Sequence, residues 1–193
     1  MAEQTLKEKT AKGLFWGGLS NGVQQVLNLV FGLMLARILD ASDYGMVGML
    51  AIFSAIASTI QESGFTAALT NQKEIRHEDY NAVFWFSTLT GVLFYLILFF
   101  CAPLIAQFYD KPELIGLSRI VFLSFLFGGF GIASNAYMFK TLMVKERAKI
   151  DIISLICSGT IGVLLALNGF AYYGLAIQTT AYIGIGSMLK FCY

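Results

Sequence analysis

Apolar residues run in six long stretches, 14–36, 44–69, 82–108, 114–139, 150–167 and 170–189, separated by short polar gaps. Each matches or nearly matches the roughly 20 residues that a helix needs to cross a hydrocarbon core about 30 Å thick. The pattern predicts an all-α polytopic membrane protein, with residues 1–193 forming a single six-helix transmembrane bundle. A helix running unbroken from Ile150 to Leu189 would be about 60 Å long, twice the hydrocarbon thickness. The chain must therefore turn at Asn168-Gly169, where both residues tolerate the left-handed conformation that ends a helix. Pro103 removes a backbone hydrogen bond from the third helix and predicts a bend near one end.

The cations fall in alternate gaps. Lys7, Lys9, Lys12, Lys73, Arg76, Lys140, Lys145, Arg147, Lys149 and Lys190 collect on one side, and only Arg37, Lys111 and Arg119 on the other. Basic short loops are retained in the cytoplasm, so both termini are expected there and the first helix is expected to stay as an anchor. A mean hydropathy of +0.70 with only 13% charged residues leaves too little polar surface for a soluble globule. A net charge of +1, spread over juxtamembrane loops, offers no basic face for nucleic acid. The same loops can meet anionic heads of membrane lipids.

Polar residues inside the stretches carry the functional information. At 100° per residue, Gly17, Gly18, Asn21, Gln24, Gln25, Asn28 and Gly32 share one face of the first helix. Amides against lipid would stay unsatisfied, so this face must meet other helices or water. Helix-helix glue is one reading, but four amides on one stripe favour a lined polar cavity. Ser54, Ser58, Gln61 and Glu62 cluster similarly on the second helix. Glu62 is a candidate for cation or proton coupling, or for a structural pairing. Arg119 can reach outward to the interface or inward to an anion. On its helix Ser124, Gly128, Gly131, Ser134 and Asn135 form a small face, expected to pack.

Covalent chemistry finds little material. His77 is the only histidine and reads as a solvated loop residue, so neither a metal site nor an acid-base pair can be assembled within the spans. Asp40 and Asp43 read as a turn and helix N-cap. Cys101, Cys157 and Cys192 lack metal or redox spacing and read as unpaired thiols. The chain is expected not to be an enzyme and to need no cofactor.

The run Ala36-Arg37-Ile38-Leu39-Asp40-Ala41-Ser42-Asp43-Tyr44-Gly45, followed by Glu62-Ser63-Gly64-Phe65-Thr66-Ala67-Ala68-Leu69, resembles the opening of Wzx-like bacterial polysaccharide and lipopolysaccharide flippases. These belong to the superfamily that also holds the MATE exporters. Lys145-Glu146-Arg147-Ala148-Lys149-Ile150-Asp151 and Asn168-Gly169-Phe170-Ala171-Tyr172-Tyr173-Gly174-Leu175-Ala176 sit where that family has its basic loop and the turn between its fifth and sixth helices. The resemblance implies one lobe of a two-lobe transporter of the bacterial inner membrane. Its partner would be a lipid-linked oligosaccharide, carried on polyprenyl pyrophosphate and moved by alternating access, with a coupling cation as a further candidate. On that reading Asn21, Gln24, Gln25, Asn28, Ser58 and Gln61 line the substrate cavity, and Glu62, Arg37 and Arg119 are the charged candidates for coupling or pyrophosphate contact. A second lobe is then expected beyond this one. The alternative is a complete six-helix protein that self-associates as a transporter or scaffold.

Overall fold

The computed structural model describes residues 2–62, 77–141 and 143–192, with side chains over 15–61, 80–141 and 143–192. Among the described residues six helices follow one another: α1 (Ala2–Ile38), α2 (Ala41–Glu62), α3 (His77–Phe108), α4 (Leu114–Lys140), α5 (Val144–Leu167) and α6 (Ala171–Phe191). Five of them are long and apolar enough to cross a membrane. The sixth, α6, is more polar but runs the whole length of α5, from Gly174 against Gly162 to Lys190 against Asp151. The chain is thus an all-α, multi-pass membrane protein.

Several helices begin earlier than the apolar runs suggest. α2 starts at Ala41 because Asp43 turns its carboxylate back to accept the Asp40 backbone N–H at 3.0 Å, the returning half of a capping box. α5 starts at Val144, so the basic stretch expected as loop is helical. The expected end of the second span, 63–69, lies outside the described residues. α3 continues unbroken through Pro103.

Two turns share one solution. Gly169, at φ 84°, ends α5, with its N–H donating to Ala166 O and that of Phe170 to Leu165 O. Asp110, at φ 53°, ends α3 in the same way, with Asp110 N–H to Gln107 O and Lys111 N–H to Ala106 O. Both are Schellman caps, which need one left-handed residue.

The helices pack in the sequence α3, α4, α6, α5, α1, and α2 lies across α4, α6 and α3. Small residues bring the backbones together. A Cβ on Gly91 would fall 2.6 Å from Phe125 O, and one on Gly129 would fall 2.6 Å from Ser87 O. Hydroxyls tie the same contacts: Ser87 Oγ donates to Gly129 O at 2.9 Å and Thr180 Oγ1 to Ile120 O at 2.9 Å. In hydrocarbon, close backbone approach and interhelical hydrogen bonds replace the hydrophobic drive that holds soluble bundles. The apolar core that α2 shares with its neighbours contains Met46, Leu50, Leu114, Leu117 and Phe122.

Candidate functional site

α1 touches α5 along one line. Gly17 approaches Val144, Phe31 covers Gly159, and Leu35 and Leu39 pack with Val163 and Ala166. These pairings make the two helices parallel. Asn21, Gln25 and Asn28 lie roughly 60° around α1 from that line and are exposed. Gln24 is half-buried and donates to Ser20 Oγ at 2.9 Å. Exposed Leu19, Val23, Val30 and Met34 occupy the other flank, and exposed Phe15, Val26, Leu29 and Leu33 face away from α5.

Helical phase fixes which way each flank points. On α5 the residues that meet α1 and those that meet α6 are roughly 100° apart, so α1, α5 and α6 enclose a concave side. Exposed Ile153, Ile156, Leu164 and Leu167 cover the convex side of α5. Because α1 and α5 are parallel, the right-handed sense of the helix turns the amide stripe toward the concave side. On α2, exposed Ile52, Ile56 and Ile60 lie on one side and Ser54 and Ser58 on the opposite one. Ser58 Oγ donates to Ala55 O at 3.0 Å, whereas Ser54 Oγ is buried without a partner among the described residues. Each of the two helices thus carries a polar side, exposed Asn21, Gln25 and Asn28 on α1 and Ser54 and Ser58 on α2.

Gln61 stands apart from the exposed amides of α1. It is 4% exposed, donates through Nε2 to Phe125 O at 3.0 Å, and lies against Gly91 and Gly129. That geometry makes it a tie between α2, α3 and α4. The side chain of Glu62 lies outside the described residues.

Arg37 and Arg119 are not brought together with these polar sides. Arg37 is exposed in the last turn of α1. Arg119 is exposed, stacks over the Phe99 ring at 4.2 Å, and lies roughly 160° around α4 from Asn135. The small face of α4 is divided: Ser124, Gly131 and Ser134 are buried, but Gly128 and Asn135 border an open cavity.

That cavity was not legible in the apolar runs. It lies at the basic end of the bundle, has a volume of about 480 Å³, and is lined by Gly128, Gly131, Ile132, Asn135, Arg147, Ser187 and Lys190. Lys190 Nζ is 3.0 Å from Asp151 Oδ1, and Arg147 Nε is 3.8 Å from Asp151 Oδ2. Asn135 Oδ1 is buried and unpartnered among the described residues. The available signal was the i, i+4 spacing of Arg147 and Asp151, which marks a helix where a loop was expected. No group of three or more potential metal ligands occurs among the described residues, and the described cysteines are unpaired.

Residues 34–193 match a family described as polysaccharide biosynthesis protein. The chain is 27% identical over 142 residues to the lipopolysaccharide biosynthesis protein WzxC of Escherichia coli K12, an overlap of 74% of this chain and 28% of that one. It is 27% identical over 154 residues to the teichuronic acid biosynthesis protein TuaB of Bacillus subtilis 168, covering 80% of this chain and 32% of the relative. To the succinoglycan biosynthesis transport protein ExoT of Rhizobium meliloti 1021 it is 29% identical over 175 residues, covering 90% and 35% respectively. No solved structure matches. The chain spans about a third of the length of these curated relatives. Six helices with small-residue seams, five of them long and apolar enough to cross a membrane, thus carry a sequence match over most of their length, and the chain belongs to the polysaccharide biosynthesis protein family.

Proposed function

We propose that this chain forms one lobe of a flippase that moves a lipid-linked oligosaccharide from the cytoplasmic to the outer leaflet of a bacterial inner membrane. The observation that carries this reading is the exposed amide side of α1, with Asn21, Gln25 and Asn28 open on a helix long and apolar enough to cross a membrane. Amides both donate and accept, and so suit sugar hydroxyls of any stereochemistry. Burial against lipid would cost on the order of 1 to several kcal/mol per unsatisfied group, so this side needs water, cargo or an opposing surface. A second lobe facing it would complete a cavity, and rocking of the two lobes would expose that cavity to each side in turn. The succinoglycan transport name of one relative and the lipopolysaccharide name of another support an exported glycan as cargo. In this reading both termini are cytoplasmic, and transport needs no covalent step.

Complementation tests the proposal. In a cell lacking its polysaccharide flippase, a chain extended by a second six-helix lobe should restore surface polysaccharide. The same extended chain with Asn21→Leu, Gln25→Leu and Asn28→Leu should accumulate normally but fail to restore it. Full export by the triple variant would overturn the reading. Restoration by the 193-residue chain alone would replace the two-lobe arrangement with self-association.

A further inference from the structure

We infer that the cavity of Asn135, Arg147, Ser187 and Lys190 binds a glycosyl diphosphate group, and that Asp151 occupies its cationic partners until that group arrives. The inference deepens the transport reading, on which it relies only for the nature of the ligand. Lys190 and Asp151 have side chains only 15% and 17% exposed, and Arg147, at 36%, shares the same carboxylate. Two cations thus converge on one anion, and the cavity beside them keeps an excess of positive charge. Phosphate oxygens compete for such donors more strongly than a carboxylate does, because a diphosphate carries more charge and engages a guanidinium at two points.

The third wall narrows the chemistry. Asn135 Oδ1 is buried and has no donor among the described residues, and Ser187 belongs to the same lining. A bare anion supplies no hydrogen to that oxygen. A sugar hydroxyl adjoining a phosphate does, so a glycosyl diphosphate satisfies the cations and the amide together. A volume of about 480 Å³ has room for both parts. Asp151 lies on α5 and Lys190 on α6, so ion exchange replaces a direct tie between these helices with one that passes through the ligand.

The test is binding of inorganic pyrophosphate, without any transport readout, to the purified 193-residue chain in micelles by titration calorimetry. The parent should bind saturably. Asp151→Asn, which removes the competitor and keeps both cations, should bind on the order of tenfold more tightly. Lys190→Gln should bind on the order of tenfold more weakly, and Lys190→Arg should recover most of the loss. Asn135→Leu should leave pyrophosphate affinity within about twofold, because the amide addresses the sugar rather than the phosphate. Weaker binding by Asp151→Asn than by the parent, or no saturable binding by either, overturns the inference. If Lys190→Gln does not fold, Asp151→Asn decides the matter alone. Failure here leaves the complementation result standing, and failed complementation leaves this binding result standing.

Discussion

The glycines of α3 to α6 and those of α1 and α2 look alike in sequence but do opposite things. In the inner seams, Gly91, Gly129, Gly131, Gly162 and Gly174 each lie so close to a neighbouring helix that an added Cβ would meet an atom at 3.0 Å or less. On α1 and α2, Gly18, Gly22, Gly32, Gly45 and Gly48 have nothing within 4 Å of where a Cβ would be. Small residues in a membrane helix therefore signify close packing only where another helix is present to use them. In the first region they build the lobe; in the second they leave the helix surface unobstructed.

Substitution of the two glycine sets should break this comparison most sharply. Gly129→Val pushes side-chain atoms into the Ser87 carbonyl and should destabilise the lobe by about 3 kcal/mol, since backbone cannot move aside as a side chain can. Gly32→Val, on the open face, should stay within about 0.5 kcal/mol. Thermal unfolding in micelles measures both, and equal losses would mean that α1 is packed as tightly as the seam.

Cysteine reactivity sharpens the same contrast on α1. In the assembled protein, with Cys101, Cys157 and Cys192 replaced, Cys at Asn21, Gln25 and Asn28 should react with a small polar thiol reagent on the order of tenfold faster than Cys at Leu27 or Leu29, since only the thiolate in water reacts. Leu27 is half-buried, and Leu29 faces outward among apolar residues. Uniform rates would return the stripe to helix packing. The smallest effect concerns Arg119. Its guanidinium stacks on Phe99 at an exposed site, so Arg119→Leu should change unfolding stability by less than about 1 kcal/mol and leave export intact. Loss of export would bring this arginine back as a cargo contact.

Much of the fold was legible because bilayer thickness limits helix length. The six runs, the Asn168-Gly169 turn and the N-cap at Asp40 and Asp43 follow from local rules. Helix ends outside the hydrocarbon were less legible, because apolarity stops at the membrane while hydrogen bonding does not; α5 begins at Val144 for that reason. The amide stripe could be read as a face of α1, but whether that face was open depended on the position of α5. The cavity residues were least visible. Asn135, Arg147 and Lys190 come from three helices and are each unremarkable in sequence, and their meeting is set by the seams between α4, α5 and α6. Gln61 shows the converse, a residue expected beside cargo that is instead held between Gly91 and Gly129.

The short turn at Gly169 has a consequence for how the protein enters its membrane. α6 carries Gln178, Thr179, Thr180, Ser187 and Lys190 and is not among the helices apolar enough to cross on composition alone. Its polar groups find acceptors and close neighbours on other helices: Thr180 on Ile120 O, Gln178 against Gly162, and Lys190 on Asp151. Partitioning α6 into lipid before these contacts exist would expose several of those groups at once. A tight cap two residues from each helix keeps α5 and α6 adjacent from the moment both are synthesised, so they can leave the translocation channel as a hairpin rather than as two spans. The insertion machinery would then act on the pair, with the apolar α5 carrying its polar neighbour into the bilayer.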